Sequence, residues 1–156
     1  MAKAVPIELH AGMPFAEAAA LVVRVRTGEV FAGIDGVLDL RDIERVHAMR
    51  VATRRLRAAL EIFAPCFPKK AHRAVLRDVK RLADALGERR DPDVHLDEVG
   101  DLADELGIGD AAGVRGFLGE LRVAQATGNA GLAAALDAAR GEQLASRLLA
   151  LAERAR

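Results

Sequence analysis

Apolar residues recur along this chain at intervals of three and four, the period of an α-helix. Nowhere do they alternate with period two for long enough to predict a strand. A first helix is expected from Pro14, since proline suits an opening helical position. It carries Phe15, Ala19, Val22, Val23 and Arg26 at helical spacing, tolerates Gly28, and breaks at Gly33 to Gly36. A second is expected from Asp39, a capping residue with Asp42 in the first turn, to about Phe63, and it stops at Pro65. The short APCFP turn then predicts an antiparallel third helix, KKAHRAVLRDVKRLADALG. That helix places Val75, Val79, Leu82 and Leu86 on one face and ends with Gly87 at the position after its last turn.

ERRDPD reads as a loop, with Asp91 or Asp93 opening a fourth helix from about Pro92 to Leu106. Val94, Val99, Leu102, Ala103 and Leu106 are expected to face inward there, and Gly107 and Gly109 end the helix. A fifth helix starts near Asp110 with Val114, Phe117, Leu118, Leu121 and Ala124 inward. Gly128 and Gly131 leave open whether it continues to Ala138 or breaks at TGNAG. A final stretch, about 142 to 155, spaces Leu144, Leu148 and Leu151 for a helix. Residues 1–13 read as a loose segment. The whole chain of 156 residues reads as a single all-α domain, an antiparallel bundle of five or six helices, with no tandem repeat.

The second helix carries more than a core stripe. His47, Arg50, Arg54 and Arg57 stand at i, i+3, i+7 and i+10, within about a quarter of the helix circumference. Met49, Leu56, Leu60 and Phe63 lie opposite. On the third helix Arg73, Arg77, Lys80 and Asp84 form a comparable polar face. Like charges one turn apart repel, as Arg50 with Arg54 and Arg73 with Arg77 do. Only Glu61, Asp78 and Asp84 offer relief on these two helices. A single such row is commonly a solvated surface; two on consecutive antiparallel helices build one basic face suited to an extended anion.

Net charge is zero, with 23 basic and 23 acidic residues, but the zero hides a split. From Arg41 to Arg90 there are 14 Lys/Arg and 6 Asp/Glu, a balance of +8; the remaining 9 basic and 17 acidic residues balance it at −8. Aromatic residues make up 3% of the chain, with no Trp or Tyr, which disfavours base stacking on single-stranded nucleic acid.

Other chemistries find little support. The single Cys66, in APCFP, reads as a small buried hydrophobe and forms no internal disulfide, which suits a reducing, cytoplasmic compartment. MAKAVPIELHAGMPF is no signal peptide, and no run is apolar enough to span a membrane. His10, His47, His72 and His95 share no ligand spacing, so no metal site or cofactor is expected. GIGDAAG is not a dinucleotide fingerprint, and there is no nucleophile with a spaced base. Asp91 and Asp93 read as a helix cap or as partners of Arg89 and Arg90 rather than an acid–base pair.

VHAMRVATRRLRAALEIF, a Pro-bounded turn, and LRDVKRLADALGERRDPDV together resemble the core of the CHAD family, the conserved histidine α-helical domain. The matching residues include Val46, His47, Arg50, Val51, Arg54, Arg55, Leu56 and Arg57, then Lys80, Leu82, Leu86, Gly87, Arg90, Asp91, Asp93 and Val94, a core of about 39–94. Pro92 and the acidic stretch after it depart from the family's pattern.

The resemblance implies an all-helical fold that binds inorganic polyphosphate along a basic groove, without catalysis, and association with polyphosphate granules. The expected contacts are His47, Arg50, Arg54, Arg55, Arg57, Arg73, Arg77, Lys80, Arg81 and Arg90. Full family members carry two similar helical halves. This chain resembles one of them, so a homodimer that completes the groove is expected. Three rivals remain open: a module for nucleic-acid backbones, which the shortage of aromatics and amides argues against; an enzyme acting on phosphate compounds; and a protein-interaction domain using the basic face.

Overall fold

The computed structural model describes residues 3–156. Those residues form five α-helices and no strand: α1 Phe15–Ala32, α2 Ile43–Ile62, α3 Lys69–Glu105, α4 Ala112–Gly141 and α5 Leu144–Ala152, with a short 3-10 turn at Ala64–Cys66. The all-α reading holds, and the helix boundaries differ from it in instructive places.

Of the expected loose N-terminal segment, residues 1 and 2 lie outside the described residues. The rest is irregular but tied down. Val5 donates its N–H to Glu29 and accepts a hydrogen bond from Arg26 of α1. Helix α2 begins at Ile43, behind Asp42 rather than Asp39. Asp39 is used by a turn instead: its carboxylate accepts from the backbone N–H of Arg41 at 2.9 Å and from the Arg41 guanidinium at 3.0 Å. Those bonds hold the Asp39 carboxyl down to about 2.

The largest departure is α3. No loop interrupts ERRDPD; one helix of 37 residues runs through Gly87 and Pro92. At 1.5 Å per residue it is about 55 Å long, against about 30 Å for the 20 residues of α2. Gly87 therefore ends nothing, and Asp91 and Asp93 cap nothing. Pro92 lacks the N–H that the Glu88 carbonyl would accept. Tertiary packing overrides that loss. Gly128 of α4 brings its backbone against this carbonyl, so close that a β-carbon there would lie 2.8 Å from Glu88 O and 3.0 Å from Arg89 Cα. Around the same crossing a buried network forms. Arg89 pairs with Asp93 one turn on, Arg89 Nε donates to Asn129 Oδ1 at 3.0 Å, and Gln125 donates to Asp93 at 2.7 Å. Asn129 in turn donates to the carbonyl of Leu38 at 3.0 Å. Helix α4 is accordingly continuous through TGNAG, which settles the open boundary.

The core is assembled from Val23 and Val30 of α1, Met49, Leu56 and Leu60 of α2, Val75, Val79, Leu82 and Leu86 of α3, Leu132 and Leu136 of α4, and Leu144, Leu148 and Leu151 of α5. Cys66 is buried in the turn, as expected. Beyond the Arg89–Asp93 pair, α3 and α4 leave the bundle as a two-helix arm. Between residues 94 and 131 only Ala103 is buried. Leu102, Leu106, Phe117 and Ala124, expected inside, are exposed, because α3 and α4 have only each other to pack against there. Among the described residues no helix is long and apolar enough to cross a membrane.

Candidate functional site

The apolar stripe of α2 fixes which way its basic row points. Val46, Met49, Leu56 and Leu60 are buried, which turns Arg50, Arg54 and Arg57 toward solvent beside α3. They form one wall of a groove of about 450 Å³. The other wall is α3, through Ala83, Asp84, Gly87, Glu88 and Asp91. A second, shallower groove of about 360 Å³ is lined by Arg73, Leu76, Arg77, Lys80, Arg81 and Asp84. Asp84 borders both, so the two grooves adjoin.

The cations are held to different degrees. Glu61 accepts from Arg57 at 3.0 Å and lies 3.5 Å from Lys80, which ties α2 to α3 across the junction. The Arg57 guanidinium, with Lys80 behind it, keeps the Glu61 carboxyl below its ordinary range. Arg81 is divided between Asp78 at 2.7 Å and Glu142 at 2.9 Å, while Arg77 reaches Asp78 at 3.3 Å and stays largely exposed. His47 is half-buried on α2. Arg55 faces α1, where its charge acts on Glu29, so it lies away from both grooves. Arg90 is half-buried, and its Nη1 is sealed among protein atoms without a hydrogen-bond partner. Seven of the ten expected contacts are thus brought to the two adjoining grooves, and His47, Arg55 and Arg90 are not.

Two features escaped the sequence reading. Asp84, Glu88 and Asp91 stand at i, i+4 and i+7 and form an acidic edge facing the arginines of α2. Extending the third helix through Gly87 would have aligned them. The other is Arg147 of α5, which donates to the buried Asp78 at 2.8 Å and completes a set of three guanidiniums around that carboxylate. No local pattern announces a partner 69 residues away.

Asp78 shows the electrostatics at work. Burial pushes its carboxyl up, but Arg147, Arg81 and Arg77 outweigh burial and leave it below the ordinary carboxylate range. A depressed folded value means the stabilisation is complete above the unfolded value and is lost as pH falls through the folded one. Asp78→Asn is therefore expected to lose about 1–3 kcal/mol at neutral pH. The gap to wild type should narrow as pH drops through the acid range, read by urea denaturation across pH. A gap that does not change with pH would contradict the ion-pair account.

Among the described residues no three His, Cys, Asp or Glu side chains gather as a metal site. The arrangement suits anion binding: three arginines on α2 and four cations on α3, two adjoining grooves, and no aromatic, Asn or Gln side chain lining either one. In comparisons with known proteins, the family model for the CHAD domain matches residues 23–156. No curated protein and no solved structure matches.

Proposed function

Since the chain belongs to the CHAD domain family, we propose that it binds inorganic polyphosphate, without catalysing a reaction on it, along the adjoining grooves of α2 and α3. The observation that carries this reading is the adjacency of Arg50, Arg54 and Arg57 to Arg73, Arg77 and Lys80, joined at Asp84 and Glu61. A polyphosphate chain carries regularly repeated charge and no sequence, and a track of cations without base-reading groups matches it. The acidic edge of Asp84, Glu88 and Asp91 repels such a chain, and so confines it to the α2 wall and the outer cations of α3. Arg81, already shared by two carboxylates, contributes less than Arg54. His47 and Arg90 flank the track. Its cellular use would be targeting to, or organisation of, polyphosphate granules in the cytoplasm.

Calorimetric titration with medium-chain polyphosphate tests the reading. Wild type is expected to bind, with affinity falling steeply as salt rises. The double variant Arg54→Ala, Arg57→Ala should bind about tenfold or more weakly. Unchanged binding by that variant would remove the site. Displacement of polyphosphate by duplex DNA at equal phosphate concentration would favour the nucleic-acid reading, and release of orthophosphate with magnesium would favour the enzymatic one.

A further inference from the structure

We propose that Gly87 admits the phosphate chain to the arginines of α2: its bare backbone is the floor on which the chain lies, and a side chain there would hold the chain off. The inference rests on the polyphosphate reading and deepens it. The first observation is that packing does not explain this glycine. Glycine is the poorest helix former after proline, and Gly87 stands inside the 37 residues of α3. Gly128 of α4 is required by its contact with backbone, but a β-carbon on Gly87 would meet nothing within 4 Å. Other helical glycines also look onto open space, among them Gly28, Gly100 and Gly131. Gly87 is the one of them that lines the groove between α2 and α3.

The second observation is where in that groove it stands. Turning about α3 from the buried Leu86 at about 100° per residue, Ala83 lies at about 60°, Gly87 at about 100°, Asp91 at about 140°, Asp84 at about 160° and Glu88 at about 200°. Burial follows the same order: Leu86 is enclosed, Ala83 and Gly87 are half-buried, and the three acids are exposed. Ala83 and Gly87 are thus the floor, and the carboxylates are the outer rim. The opposite wall is arginine, and Arg50 and Arg54 form no ion pair among the described residues. A phosphate chain carries anionic oxygens on every side. One side faces the guanidiniums; the others need a neighbour that is neither bulky nor negative. The rim offers carboxylates, whereas the floor at Gly87 offers neutral main chain at close approach. A chain that sinks to this floor comes nearest to Arg50 and Arg54 and farthest from the rim.

Thermal melts and calorimetric titration with medium-chain polyphosphate, on the same variants, supply the test. Gly87→Ala should raise the melting temperature by about 2–4 °C, because the helix gains and the new methyl group meets nothing. Gly87→Leu should also melt higher. Both should bind polyphosphate more weakly, Gly87→Leu by roughly tenfold or more, with no change of charge to account for it. Gly100→Ala, which also faces open space but lies in the arm, should melt higher and bind as wild type does. A more stable protein that binds less is the outcome a purely structural glycine does not give. Gly87→Leu binding as tightly as wild type overturns the proposal. So does a Gly87→Ala that loses stability, since the position would then be packed. If Arg54→Ala, Arg57→Ala weakens binding and Gly87→Leu does not, only this assignment falls. If wild type binds no polyphosphate, the reading of the groove falls and this inference with it.

Discussion

Arg89→Ala is expected to destabilise the fold by about 3–5 kcal/mol, a large part of the stability of a domain this size. Arg89 and Asp93 are both fully enclosed, and their charges answer each other across a single helical turn. Removing the guanidinium leaves the Asp93 carboxylate buried with only the Gln125 amide for company. It also frees the Asn129 oxygen that Arg89 Nε now satisfies. Even intact, the pair is imperfect: Arg89 Nη2 and Asp93 Oδ2 lack protein partners. The network therefore specifies where α3 and α4 cross more than it adds stability. The apolar double variant Arg89→Met, Asp93→Leu should accordingly recover most of the loss. Urea denaturation followed by circular dichroism checks both. A single-variant loss below about 1 kcal/mol would mean that solvent reaches the pair and that its burial is not what holds the crossing.

The next largest effect concerns two glycines on one helix. Gly128→Ala should lose about 1–3 kcal/mol, although alanine is the better helix former by about 1 kcal/mol. Its β-carbon would meet backbone, the Glu88 carbonyl and the Arg89 Cα, and neither can rotate aside. Gly131→Ala meets nothing within 4 Å and should instead gain up to about 1 kcal/mol. Opposite signs in thermal melts of two substitutions three residues apart would locate the close crossing at Gly128. Equal signs would show that the helices yield there.

Legibility in the sequence followed the range of the interaction. The basic row of α2 was readable because its spacing is local: the residues that bury Met49, Leu56 and Leu60 are the same residues that turn Arg50, Arg54 and Arg57 outward. The turn at Cys66 was readable from its prolines. The stretch from Gly87 to Asp93 was misread because glycine and proline weaken a helix locally, while Gly128, Asn129 and Gln125, which sustain this one, lie over thirty residues away. That misreading also hid the acidic edge of the groove, since Asp84, Glu88 and Asp91 align only if the helix continues. Leu102, Phe117 and Ala124 failed for a different reason. Periodicity identifies an apolar face but not whether anything in the same chain covers it. Arg55 was misplaced because a run of adjacent arginines on one helix necessarily points in several directions, and Arg55 points to α1.

The charge division of α3 has a consequence for how the molecule approaches a charged body. A net charge of zero suggests a particle indifferent to electric fields. With a surplus of cations in the bundle and a surplus of anions along residues 91–110, the protein is instead an electric dipole, and a field turns it before it draws it in. Any polyanion meets it bundle first, with the arm directed away. A surface coated by such molecules would present outward a layer of like-oriented acidic tips, negative like the polymer beneath it.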